Sequence, residues 1–201
     1  GHVRVYTIFP KYIETNFTAL PDGASLAGRA TLNSFGECQL TPNINSQAGG
    51  LLFSSRSPVP TAFNAQWDYH VYGGNGAYGT SFNYGPITQL ANSGYQEYES
   101  GMIGAVLVVS FIEYNGERVE LRYNNTVLES RPFILINPDY RRVVVDVNSA
   151  NIISISVGGT TVISRSISGY DSLTKTGWQF GFAARTGGFK NEHSIDNLSI
   201  K

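Results

Sequence analysis

The residues best suited by type and spacing to do chemistry fall into a few groups. Gly74-Asn75-Gly76-Ala77-Tyr78-Gly79 fits G-x-G-x-x-G. That pattern holds a pyrophosphate only where a helix follows directly, because the helix N-terminus must meet the phosphates. Here Thr80-Ser81-Phe82-Asn83-Tyr84 follows and reads as a strand, so a glycine-rich loop between two strands is expected. Paired carboxylates are the signature of glycoside hydrolysis. Glu97 and Glu99 would share a strand face, and Glu113, Glu117 and Glu120 straddle Asn115-Gly116. No third group supports either cluster, so both read as solvated charge beside turns, and no hydrolase or lyase is expected from Glu97, Glu99 or Glu113. His2, His70 and His193 are scattered, and none has a second histidine at ligand spacing, so no metal site is built on them. His193 reads instead as a hydrogen-bonding residue near a strand end. The single cysteine, Cys38, can close no internal bridge and reads as a small buried hydrophobe. A G-x-S-x-G nucleophile elbow is missing.

The elements that must position these residues are strands. From Phe63 to Val71, Phe63, Ala65, Trp67, Tyr69 and Val71 alternate with Asn64, Gln66, Asp68 and His70. That is period two, with one face buried and one wet. Val119, Leu121 and Tyr123 alternate with Glu120 and Arg122, while Ala105–Phe111 is nearly continuous and apolar, as for a strand covered on both faces. Val143–Val147, Ile152–Val157, Thr161–Ser164 and Trp178–Ala184 add four more strands. Asn115-Gly116 is a strong hairpin signal, and Asn124-Asn125 and Gly158-Gly159 supply further tight turns. Many short strands with frequent turns predict an all-β sandwich or jelly roll.

Composition narrows the function classes. The chain has 201 residues, 41% hydrophobic and 12% aromatic, with 14% charged residues and a net charge of −1. That charge fraction is well below the usual ~25%, and the aromatics argue against disorder. The charge balance offers no basic field for nucleic acid, and no apolar run reaches the ~18 residues of a membrane span, so neither nucleic-acid binding nor membrane insertion is expected. Gly1 and His2 read as a vector-derived remnant, and no signal peptide opens the chain. Asn-x-Ser/Thr triplets at Asn16, Asn124 and Asn197 are common by chance in so Asn-, Ser- and Thr-rich a sequence.

The C-terminal stretch carries a resemblance. Phe180-Gly181-Phe182-Ala183-Ala184-Arg185-Thr186-Gly187-Gly188 precedes Glu192-His193-Ser194-Ile195-Asp196-Asn197-Leu198-Ser199-Ile200. This resembles the closing strands of the legume-type (L-type) lectins of the concanavalin A-like lectin/glucanase superfamily, where G-F-S-A-A-T-G leads through a sugar-facing loop into E-x-H-x-I-x-x-W-S-F. Leu26–Ala30 with Leu40-Thr41, then Gly50–Phe53, Gly76–Phe82 and Val108–Tyr114 look like the family's earlier segments, in the same order. The resemblance covers about Ile13 to Lys201. It implies a two-sheet antiparallel jelly roll: residues 1–12 as a leader with a first strand, and 13–201 as a single lectin-like domain.

The departures bear on function. Tyr78 stands where the family's A-D-G aspartate accepts hydrogen bonds from sugar hydroxyls, and Ser110 and Ile112 stand where E-F-D carboxylates hold manganese and calcium. Hard cations need several oxygen ligands, usually including carboxylates, so no cofactor is expected, and calcium lacks its usual acidic ligands. The glucanase E-x-D-x-E triplet is also missing. The resemblance thus implies a non-catalytic carbohydrate-binding module of a larger extracellular or cell-surface protein, with glycan or glycoprotein as partner and other domains in the same chain. A protein-adhesion or structural module on the same fold is the alternative. The loops Asn75–Tyr78 and Thr186–Asn191 are expected side by side. Tyr78 and Tyr114 would stack on sugar, Asn75, Asn115 and Asn191 would offer amides, Arg185 would meet an acidic sugar, and Gly79, Gly187 and Gly188 would shape the rim.

Overall fold

The computed structural model describes residues 11–88 and 98–201. Glu97 and the first strand expected within residues 1–12 lie essentially outside that range, the first described strand starting at Ile13. In chain order the described strands are β1 (Ile13–Thr15), β2 (Ala24–Gly28), β3 (Thr31–Leu32), β4 (Cys38–Thr41), β5 (Ala48–Phe53), β6 (Phe63–Tyr72), β7 (Gly79–Gly85) and β8 (Leu107–Ile112). Then come β9 (Arg118–Tyr123), β10 (Thr126–Pro132), β11 (Asn137–Val147), β12 (Ile152–Val157), β13 (Thr160–Ser166), β14 (Gln179–Arg185) and β15 (Glu192–Ile200). One 3₁₀ turn, Tyr98–Ser100, interrupts the long connection from β7 to β8.

The strands form two antiparallel sheets. One runs β13-β12-β11-β6-β15-β4-β3, with β1 paired to β15, and the other runs β10-β9-β8-β7-β14-β5-β2. The strand alternation read from the sequence is what closes them together. Phe63, Ala65, Trp67, Tyr69 and Val71 on β6 face Leu107, Val109 and Phe111 on β8, Phe82 and Tyr84 on β7, and Phe180 and Phe182 on β14, all in one buried cluster. Trp67 stacks on Phe82 at 5.3 Å and meets Phe182 edge-on at 5.0 Å. Such aromatic pairs add about 0.5–1.5 kcal/mol each beyond the area they bury.

β8 is covered on both faces, as its continuous apolar run predicts. Its outward Val108 lies under Ile87, Met102 and Ala105, beside Ala183 of β14. The turns also form as expected. Asn115 and Gly116 take φ of 59° and 97°, the paired positive values that a two-residue hairpin between right-twisted strands requires. Asn124-Asn125 and Gly158-Gly159 are positive as well. Residues 74–79 run straight into β7, so the glycine motif opens a strand and has no helix to meet a phosphate.

Candidate functional site

The start of β7, the end of β8 and the end of β14 meet at one pole of the sandwich. Tyr78 is fixed there by its backbone: its N–H donates to Arg185 O at 2.8 Å, and its carbonyl accepts from Glu113 N at 2.9 Å. The two loops expected to be neighbours are zipped together. Asn75 N donates to Lys190 O at 2.8 Å, and Lys190 N donates to Asn75 Oδ1 at 2.8 Å. A third loop joins them, with Ser46 N donating to Gly187 O at 3.1 Å and Asn45 Nδ2 to Gly188 O at 3.2 Å.

The ring of Tyr78 is the hub of an aromatic cluster. The Arg185 guanidinium lies 4.4 Å from its centroid, and the Tyr114 ring lies 4.9 Å away at 49°. Tyr114 in turn meets Phe189 at 5.7 Å. Tyr78 is half-buried, whereas Tyr114 is 37% and Phe189 44% exposed, so the outer two rings present their surface to solvent. Phe189 escaped the sequence reading, although an aromatic inside a loop expected to face sugar was the available signal. Asn75 is exposed, with its side-chain oxygen engaged by the Lys190 N–H. Asn115 and Gly188 are exposed at the same rim.

Other residues of the expected site are occupied within the protein. Arg185 is bound bidentately by Glu99, at 2.8 and 3.1 Å, and the pair is nearly buried, so Arg185 has a carboxylate already. Asn191 is fully buried: its Nδ2 donates to Glu113 Oε2 at 2.5 Å, and its Oδ1 accepts from Gly76 N at 3.4 Å. Gly79 is buried against the neighbouring strand, where an added Cβ would lie 2.1 Å from Phe111 O. These three hold the loops in place.

The carboxylates also differ from the expectation of solvated charge. Glu113 continues the parity of Leu107, Val109 and Phe111 and therefore turns inward, into the gap between the sheets. Its side chain is wholly buried, as is that of His193, whose Nε2 lies 3.0 Å from Oε1. Tyr69 OH donates to Oε1 at 3.3 Å, Thr80 Oγ1 donates to Tyr69 OH at 3.1 Å, and Thr41 Oγ1 lies 2.5 Å from His193 Nδ1. Burial, and after it the Glu113 charge, push the Tyr69 phenol well above its ordinary range. Both ring nitrogens of His193 are engaged, Nε2 with Glu113 and Nδ1 with Thr41. His193 is thus the hydrogen-bonding residue near a strand end that the sequence suggested. Glu120 is buried between Arg118 and Arg122, at 2.7 Å from each, and Glu117 Oε2 accepts from Leu135 N and Ile136 N at 2.6 and 2.7 Å.

The metal that the resemblance implies does not fit these residues. Ser110 and Ile112 lie on the outward face of β8, and Ser110 Oγ is buried without a partner. The residues paired with Ser110 across the sheet are Ser81 and Glu120. Glu120 is already neutralised by two guanidinium groups, which repel a cation, and the Glu113 carboxylate is saturated by donors. Among the described residues, no three His, Cys, Asp or Glu side chains converge to hold an ion.

Comparison with known proteins places this architecture. No family model matches the sequence, and no curated protein matches it. Solved structures match over nearly the whole chain. Lectin II from Ulex europaeus has a TM-score of 0.79 at 14% identity, covering 96% of this chain and 99% of that one. The exoplasmic/lumenal domain of VIP36, in its Ca2+/Man-bound form, has a TM-score of 0.71 at 15% identity, covering 89% and 82%. Arcelin-5, a lectin-like defense protein from Phaseolus vulgaris, has a TM-score of 0.75 at 17% identity, covering 94% and 96%. With this topology and these neighbours, the chain has the concanavalin A-like jelly-roll fold of the L-type lectins.

Proposed function

We propose that the chain is a non-catalytic carbohydrate-binding module that grips glycan at this pole without a metal ion. One observation carries the reading: Tyr114 and Phe189 stand exposed around the fixed ring of Tyr78, at the pole where the closing loops meet. Exposed aromatic rings offer the apolar face of a sugar a large, rigid surface at little entropic cost. The Asn75 amide and Asn115 supply hydrogen bonds around that surface, and Gly187 and Gly188, whose carbonyls hold Ser46 and Asn45, shape its rim. Tyr78, Arg185, Asn191 and Gly79 act behind it as the frame. Hydrolysis finds no support, because Glu99 and Glu113 are both held by protein partners, whereas a glycosidase needs two carboxylates open to the sugar. A glycan or glycoprotein partner fits an extracellular or cell-surface setting, with further domains in the same chain.

A broad glycan array, run on the purified chain with calcium and again with chelator, tests this directly. Binding that ignores chelator and drops about tenfold or more in Phe189→Ala and Tyr114→Ala is the expected result. Binding lost in chelator would contradict the metal-independent site.

The second reading is protein adhesion through the same pole. It is favoured by Ile44, an exposed apolar residue held against the loops, where Thr186 Oγ1 donates to Ile44 O at 2.6 Å. A blank array from folded protein supports it.

A further inference from the structure

A cleft of ≈ 460 Å³ opens at the opposite pole, between the connection from β5 to β6 and the connection from β13 to β14. The length of β14 separates it from the aromatic cluster, about 20 Å at ~3.3 Å per residue. Its volume lies within the range of small-molecule pockets, about 300–1,000 Å³. Its lining is unusual for a chain with so few charges. Arg56 and Lys175 are both present, with the hydroxyls of Ser55, Ser57, Thr61 and Thr176, and no carboxylate.

Lys175 is only 6% exposed. Its Nζ donates to Tyr170 O at 2.6 Å and to Leu173 O at 3.4 Å, and lies 4.2 Å from the Tyr170 ring centroid and 5.5 Å from that of Trp178. These partners fix the ammonium and are themselves neutral. Two of its three protons go to carbonyl oxygens, and the third has no oxygen acceptor among these partners. Burial pulls the lysine below its ordinary pKa, and Asp171 pulls the other way without lining the cleft. Arg56 is exposed and reaches the Asp22 carbonyl at 3.4 Å. Arg56 and Lys175 thus put two cationic side chains on a lining that offers no carboxylate, and an anion bound there is attracted by both.

We propose that this cleft binds a tetrahedral oxyanion, a phosphate or sulfate group, between Arg56 and Lys175. A planar carboxylate has two oxygens, which one guanidinium satisfies by itself. Hydroxyls on several sides together with two cations suit an oxyanion with more oxygens, set in three dimensions.

Isothermal titration calorimetry at fixed ionic strength tests the site, with inorganic phosphate, sulfate and acetate as probes. Saturable binding of phosphate or sulfate, with acetate at least about tenfold weaker, is expected, and the relative affinity of phosphate and sulfate identifies the preferred group. Arg56→Gln weakens it by about tenfold or more, since a charge-assisted bidentate contact is lost. Because Lys175 is packed against two aromatic rings, the second variant is Thr176→Val, at an exposed position, with a loss of about threefold or more. Circular dichroism confirms that each variant is folded. No saturable binding by the wild-type chain, acetate binding as tightly as phosphate and sulfate, or unchanged affinity in Arg56→Gln would each overturn the assignment.

Discussion

The ring of Tyr78 lies so close against Gly187 that a Cβ at position 187 would stand 1.8 Å from Cε2 and 2.8 Å from Cζ. Glycine is therefore what allows the ring to lie flat between the two loops, with Arg185 and Tyr114 around it. Gly187→Ala pushes the ring out of its place. The expected cost is about 1–3 kcal/mol of stability, with loss of glycan binding equal to that of Tyr78→Ala. A double-mutant cycle checks the cause: in a Tyr78→Ala background the alanine at 187 costs almost nothing. Additive losses would mean that the strain lies elsewhere.

The pairing of Glu113 with His193, Asn191 and Tyr69 yields a second expectation. Glu113→Ala leaves three buried donors without their acceptor, and each unsatisfied group costs about 1–3 kcal/mol. A total loss of about 3 kcal/mol or more is expected, against a much smaller loss for Glu113→Gln, which keeps an oxygen toward Asn191. Urea denaturation of both variants separates a structural network from a dispensable one. If Glu113→Ala is as stable as the wild type, the network holds nothing together.

Much of this was legible in the sequence. Alternation located β6 and β9 to within a residue or two, the stretch Trp178–Ala184 located β14, and the Asn115-Gly116 pair located the hairpin. Glu113 shares the parity of Val109 and Phe111, yet beside the turn it reads as solvated charge. Its charge suggested solvent, and only its distant partners show why the interior accepts it. His193 is 80 residues away from it and Asn191 is 78. The same distance hid the Arg185–Glu99 pair, 86 residues apart. Lys175 left no trace in the pattern because what fixes it is backbone carbonyl and ring face, which no side-chain spacing reports.

Glu120 sets part of the acid stability. Burial raises its pKa, but hydrogen bonds from Arg118 and Arg122 outweigh that and hold it below its ordinary value of 4.5. A carboxyl depressed in the folded state contributes its full stabilisation above the ordinary value and loses it as pH falls through the folded one. Asp196 has the opposite sign. Its pKa is raised, chiefly by burial, so its contribution improves on acidification. Glu120→Gln should therefore flatten the decline in stability below about pH 4.5. Thermal melts between about pH 2 and 6 measure it, and an unchanged acid limb would show that the Arg-Glu-Arg ladder adds nothing.

Cys38 reports on opening of the sandwich. It is fully buried in β4, and burial pushes its thiol up to about 12. The thiolate is the reactive species, so in the folded state both its population and its access are suppressed at neutral pH. Alkylation by iodoacetamide should then proceed only through unfolding, with a rate that is independent of reagent concentration when the reagent is in excess and reclosing is slow. The Glu113→Ala variant should react faster, by about tenfold for every ~1.4 kcal/mol of lost stability when reclosing is fast. Rapid labelling of the native chain at pH 7, proportional to reagent and indifferent to Glu113→Ala, would show that β4 opens locally without the rest of the sheet.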